Sequence, residues 1–199
     1  MPTIRSRGKL PHWEADQAIY FVTFRLADSL PRSVLQEFEA ERQNILAAAQ
    51  HTGRATLSLS DERRLEELLS EKVQAKLDAG AGRCFLADPR IASVVAEALR
   101  HFNLTKYRMY AWCVMPNHVH ALFRILEGNA LAEILHAWKS FSATKANRLL
   151  RRSGAFWQRE YYDHLVRSED EFCRIVNYTA ENPSRAGLRN WRWVGVDLK

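Results

Sequence analysis

No apolar run in these 199 residues reaches the roughly 18 needed to cross a bilayer, so no membrane-spanning helix is expected. The opening stretch, MPTIRSRGKLPHWEAD, has no hydrophobic segment before its charges resume, and an ordinary signal peptide is not expected either. Cysteine is scarce. Cys84, Cys113 and Cys173 are odd in number and share no metal-like spacing, which argues against a disulfide framework and for a reducing cytoplasm. Internal repeats and low-complexity tracts are missing as well. What is present is 47% apolar and 11% aromatic residues against 26% charged, enough to bury a core and incompatible with disorder. The length suits one domain of moderate size, and we read 1–199 as a single domain with a helical insertion at about 32–85.

Charge is distributed unevenly. Residues 1–99 carry 13 basic and 14 acidic side chains, whereas 100–199 carry 16 basic and 9 acidic. The overall excess of +6 therefore belongs to the second half, where a polyanion such as nucleic acid would bind.

Residues 19–26 are β-branched and aromatic and run into a turn at Ala27-Asp28-Ser29-Leu30-Pro31, which predicts a strand. The charged segments 32–50 and 61–77 predict two helices. Residues 91–102 have helical apolar spacing through Ile91, Val94, Val95, Ala98 and Phe102. Two strands, 107–114 and 118–125, flank a short turn at Met115-Pro116-Asn117 and predict a hairpin. A long helix follows from Leu131 to about Arg151, then an extended segment over 156–166. Ser168-Glu169-Asp170-Glu171 has the form of a capping box that opens a final helix, and Pro183 is expected to close it, taking Asn182 out of α geometry. With the insertion set aside, the order is β-α-β-β-α-β plus a helix. This is an α+β fold, a ferredoxin-like split βαβ with an antiparallel sheet.

His118 and His120 alternate with Val119 and so share one face of their strand, while Val119, Ala121, Phe123 and Ile125 share the other. Two imidazoles on one face begin a metal site that needs a third ligand; taken alone, they also fit two unrelated surface histidines. On the last helix, Phe172, Ile175, Val176 and Thr179 form the buried stripe at about 100° per residue. Tyr178 and Asn182, four residues apart, share its flank at the border of core and surface. Lys139, Lys145, Arg148, Arg151 and Arg152 suit phosphate contacts and equally an ordinary solvated helix face. Trp157, Tyr161 and Trp112 suit base stacking and equally the core. Tyr161 and Tyr162 are the other tyrosines near the site; His136 and His164 have no partner at a telling spacing.

The combination of Met115-Pro116-Asn117-His118-Val119-His120, Phe156-Trp157-Gln158, Tyr161-Tyr162-Asp163 and Tyr178-Thr179-Ala180-Glu181-Asn182-Pro183, with Ala186-Gly187-Leu188, is specific. It resembles the single-tyrosine HUH transposases related to bacterial insertion sequences, and among them the REP-associated tyrosine transposases. Leu10-Pro11-His12-Trp13, the strand Tyr20-Phe21-Val22-Thr23-Phe24 and Lys139-Ser140 extend the resemblance over nearly the whole chain, most weakly across 32–85. It implies a bacterial, cytoplasmic, nucleoid-associated endonuclease and strand-transferase. Its partner would be single-stranded or hairpin DNA of the repetitive extragenic palindromic type, and the enzyme would act as a monomer or a homodimer. On this reading His118 and His120 hold Mg²⁺ or Mn²⁺, Asn182 is a further metal ligand, and Tyr178 is the nucleophile of a covalent phosphotyrosine intermediate. Two imidazoles by themselves suit Zn²⁺ at least as well. Two other readings remain: a domesticated hairpin-binding protein that does not cut, and a zinc hydrolase. The second lacks a carboxylate beside the histidines.

Overall fold

The structure, a computed structural model, describes residues 3–7, 10–14, 18–30, 36, 40, 43, 44, 47, 77, 80 and 82–198. The chain separates into two compact units, one of residues 1–27 with 84–199 and one of residues 28–83. In the second unit Gln36, Ala40, Gln43, Asn44, Ala47 and Leu77 are helical, while the rest of the helices expected at 32–50 and 61–77 lie outside the described residues.

The first unit opens with a two-stranded antiparallel ribbon, β1 (Thr3–Arg7) and β2 (Leu10–Glu14), which the sequence pattern did not announce. The main sheet has five strands in the order β6-β3-β5-β4-β7, every neighbour antiparallel. Its strands are β3 (Ile19–Arg25), β4 (Tyr107–Val114), β5 (His118–Ile125), β6 (Tyr162–Leu165) and β7 (Val194–Val196). Three α-helices of this unit, among the described residues, pack with the sheet: α1 (Pro89–His101), α2 (Leu131–Leu149) and α3 (Glu169–Arg185). Leaving out β7, the strand order is that of the expected split βαβ. The edge strand β7 is the addition, and it fits because Gly195 lies under the Trp112 indole, where a Cβ would come within 2.5 Å of Nε1.

The hairpin forms as expected, β4 and β5 joined across Met115-Pro116-Asn117. Alternation then divides the sheet. Val119, Ala121, Phe123 and Ile125 of β5, with Tyr20, Val22 and Phe24 of β3, face α1 and α2 and are buried with Ile91, Val95, Leu99, Leu135 and Trp138. At the centre of this layer the Trp138 indole donates to the Tyr107 hydroxyl (2.9 Å), which donates to the Leu99 carbonyl (2.9 Å). Asp88 caps α1 by accepting from the Arg90 amide, with Pro89 in the first turn. The extended segment expected over 156–166 is regular only at β6; Trp157 makes an isolated bridge with Leu26 before it.

The α3 cap is the one expected: Ser168 accepts from the Glu171 amide at 3.2 Å. Its end is not. Pro183 lies inside the helix, which runs on to Arg185 with Asn182 helical. A proline this near the end removes one intrahelical bond, and burial of both Asn182 and Pro183 holds the last turn in place.

Tyr107→Phe leaves the Trp138 indole N–H and the Leu99 carbonyl without their buried partner. We expect a loss of about 1–3 kcal/mol in urea-unfolding free energy.

Candidate active site

His118 and His120 project from β5 onto the face opposite α1 and α2, where α3 packs through Phe172, Ile175 and Val176 against Tyr110, Ala111 and Leu122. They are not surface histidines. Both are completely buried, and their Nε2 atoms lie 3.0 Å apart. Burial holds the His118 imidazole well below its ordinary pKa, helped by His120, and pushes His120 down to about 3. Both are neutral at pH 7, the state a cation requires of a histidine ligand.

The outer nitrogens are fixed. His118 Nδ1 lies 2.7 Å from the Asn117 side-chain oxygen, and His120 Nδ1 lies 2.8 Å from the Thr23 hydroxyl across the β3–β5 ladder. Because Asn117 Oδ1 only accepts, the proton of neutral His118 sits on Nδ1, leaving a lone pair on Nε2. Thr23 is the adjustable partner. Its hydroxyl donates to Nδ1 when His120 carries its proton on Nε2 and bonds it to His118, or accepts when that proton is on Nδ1. Only the second arrangement leaves both Nε2 lone pairs open, aimed at one point from 3.0 Å apart. Neither Thr23 nor Asn117 stood out in the sequence; the signal was the register that sets Thr23 opposite His120.

Tyr178 arrives from α3. Its ring stands edge-on to His120, with centroids 5.4 Å apart, and edge-on to Phe21 at 6.1 Å; Phe21 in turn stacks on His120 at 5.4 Å. Its hydroxyl is buried. Asn182, expected at the border, is instead fully buried one turn further along α3. Its Oδ1 is enclosed without a hydrogen-bond partner among the described residues. Among those residues no group of three or more His, Cys, Asp or Glu side chains is placed to hold a metal. The side chains close enough together to share a cation are the two imidazoles, while Asn182 carries a buried amide oxygen further along α3 than Tyr178.

The structure also sorts the remaining candidates. Tyr162 is opposite Thr23 on the histidine face, while Tyr161 packs on the core and lies under the Lys139 ammonium. Trp157 is core: it is 6% exposed, packs edge-on against Phe24 and donates its indole N–H to Ser142 (2.9 Å), so its ring offers no face to a base. Lys139 donates to the carbonyls of Gln158 and Arg159, each at 2.8 Å, and burial brings its pKa down to about 8. It ties α2 to the approach to β6 instead of presenting its charge to solvent. Lys145 pairs with Glu97 at 3.4 Å, Arg152 bonds the Ala155 carbonyl over Phe85, and Arg148 and Arg151 are exposed. All of these belong to α2 or its end, the layer across the sheet from the histidines. Arg25, directly opposite His118, is a cation of the histidine face, partly buried and lowered by that burial to about 10, still charged at neutral pH. His164, silent in sequence, bonds Glu171 at 2.8 Å; the other oxygen of Glu171 accepts from the Arg167 amide and so completes the α3 cap.

Residues 86–182 match the model of the family described as Transposase IS200 like, and this stretch runs from before α1 through both histidines and Tyr178 to Asn182. That segment is similar to the IS200-like transposases. A Haemophilus influenzae protein named as a candidate REP-associated tyrosine transposase is 25% identical over 99 residues, 43% of this chain and 56% of that protein. The chain spans about half the length of the curated relatives it matches. Among solved structures, one of a REP-associated tyrosine transposase bound to a REP hairpin superposes with a TM-score of 0.49 at 15% identity, covering 94% of this chain and 82% of that one. A candidate transposase of Deinococcus radiodurans superposes at 0.39 and 13% identity, covering 87% and 93%. No helix among the described residues is long and apolar enough to cross a membrane.

Thr23→Val removes the hydroxyl that lets His120 hold its proton on Nδ1. It should weaken Mn²⁺ binding about 10- to 100-fold by isothermal titration calorimetry, while Thr23→Ser stays close to wild type.

Proposed function

We propose that this chain is a metal-dependent endonuclease and strand-transferase acting on single-stranded DNA. On this reading it recognises hairpin-forming repeat DNA of the REP type and cuts it through a covalent link to Tyr178. One observation carries the reading: two buried, neutral imidazoles whose Nε2 atoms converge at 3.0 Å, with the Tyr178 ring against one of them. Imidazoles held this way are built to share a cation, and a tyrosine placed beside them is built to attack what that cation holds.

His118, His120 and the Asn182 oxygen are the groups that would hold Mg²⁺ or Mn²⁺. When bound, the ion would neutralise and polarise the non-bridging oxygens of the scissile phosphate. Asn117 keeps the His118 proton on Nδ1, and Thr23 can accept the His120 proton on its Nδ1, away from the bound side. Phe21, stacked on His120 and edge-on to Tyr178, packs against both rings. Arg25, opposite His118, adds a fixed positive charge on the same face.

Tyr178 Oη then attacks phosphorus. The new bond is Oη–P and the broken one is P–O3′; the phenolic proton leaves to a base, and the departing oxygen takes up a proton as a free 3′-OH. Bond energy is conserved in the phosphotyrosine, so the reverse attack by a 3′-OH joins strands without ATP. The phenol, ordinarily near pKa 10, needs the field of the site to ionise. Tyr178 meets His120 of its own chain, an arrangement compatible with a monomer or a homodimer.

The test incubates wild type and Tyr178→Phe with hairpin oligonucleotides and Mn²⁺ or Mg²⁺ and resolves protein–DNA adducts by denaturing electrophoresis. Wild type should form an adduct that EDTA abolishes, and Tyr178→Phe should form none. An adduct with the Phe variant would refute the assignment of the nucleophile. Tight hairpin binding without any adduct would establish the non-cleaving reading instead.

A further inference from the structure

The face of the sheet that carries the histidines has a second built feature at its other end. Arg108 of β4 and Arg124 of β5 are directly opposite each other there, four strand residues beyond His120, or about 13 Å along β5. Both guanidiniums lie against the Tyr110 ring, 5.6 and 6.0 Å from its centroid. Neither has a carboxylate partner among the described residues. Like charges directly opposed across a ladder destabilise a sheet. Two arginines in that position, unneutralised, are an arrangement that an anion would relieve.

A cavity of about 510 Å³ opens beside them, well inside the range of small-ligand sites, roughly 300–1,000 Å³. Its wall is apolar and aromatic: Ile19, Tyr110, Val166 and Phe172, with Tyr110 and Phe172 meeting edge-on at 5.0 Å. Arg124 and Arg167 lie on its rim. Glu169 lies there too and repels an anion from its side, so a bound phosphate belongs with the arginines. The pairing of an aromatic wall with guanidiniums matches how single nucleic-acid strands are held: the base on a π or apolar surface, the backbone on positive charge.

We propose that this cavity binds one nucleotide of a single DNA strand, its base against the partly buried Phe172 ring and the apolar wall around it and its phosphate on Arg108 and Arg124. It lies a few nucleotides from the phosphate attacked by Tyr178. The inference rests on the functional reading above and adds a second anchor to it. Both positions lie along α3, with the cavity at its start and Tyr178 further along, so a strand running beside the helix reaches both.

The experiment uses Tyr178→Phe protein, which binds without cutting, and measures anisotropy of a fluorescent mixed-sequence single strand of about 20 nucleotides over a range of salt. The variants, made in that background, are Arg108→Gln with Arg124→Gln, Arg108→Lys with Arg124→Lys, and an equal charge loss on the far layer, Arg148→Gln with Arg151→Gln. Thermal melts by circular dichroism check that each is folded. We expect the Gln pair at 108 and 124 to lower affinity about tenfold and to flatten the plot of log K against log salt by about 0.7, one phosphate contact. The Lys pair should restore the slope, and the far-layer pair should have a smaller effect. Unchanged affinity and slope for the 108/124 Gln pair, or an equal or larger effect from the far layer, overturns the cavity assignment and leaves the nuclease reading standing. Failure of the parent protein to bind single strands at all overturns both.

Discussion

The pairing of β3 with β5 is the constraint on which the rest of the site depends. In its register Val22 faces Ala121 and Phe24 faces Val119, so one side of both strands joins the apolar layer under α1 and α2. The same register sets Thr23 against His120 and Arg25 against His118 on the other side. A slip of one residue would move Val119, Ala121, Phe123 and Ile125 out of the apolar layer under α1 and α2 and carry the imidazoles of His118 and His120 into it, costing the packing of several large side chains and burying two polar rings away from their partners. The hydrogen bond between Thr23 and His120, about 1 kcal/mol, has no such leverage. Apolar burial sets the register, and the chemistry is carried on the face that burial leaves over.

That second face is made at some expense to stability. It encloses two imidazoles whose charged forms burial opposes, together with an asparagine oxygen that has no partner among the described residues. A core built for stability alone would fill these positions with apolar side chains. What holds the arrangement is α3, anchored at its start by Ser168 and by Glu171, which joins the Arg167 amide to His164 of β6. This cap fixes the helix against the sheet, and two turns later Tyr178 meets His120. Stability at one end of α3 is therefore positional accuracy at the other.

The sequence made the large-scale plan readable wherever periodicity and turn chemistry agree. The β4–β5 hairpin, the split βαβ order, the α3 cap and the shared face of His118 and His120 all follow from local patterns. Features set by long-range contact were not readable. Thr23 became a partner of His120 only through a ladder closing 97 residues of separation. Pro183 reads locally as a helix end, yet burial of the last turn carries α3 past it. Trp157 and Lys139 carry the residue types of a nucleic-acid surface, but packing and two backbone carbonyls claim them for the fold. The short ribbon β1–β2 and edge strand β7 have too few residues to show a period. Within the basic second half, the cations of α2 and the pair Arg108 and Arg124 lie on opposite faces of the sheet, which a linear count cannot separate.

Everything said of the chemistry comes back to one point in space, the place toward which both Nε2 atoms are directed. Crystals of the Tyr178→Phe protein grown with Mn²⁺, with data collected at a wavelength giving manganese anomalous signal, test it most directly. The account predicts one strong anomalous peak about 2.2 Å from the Nε2 atoms of both His118 and His120, on the side of the Tyr178 ring. A folded protein with no peak there, or with the ion bound elsewhere and the two imidazoles still hydrogen-bonded to each other, would contradict it.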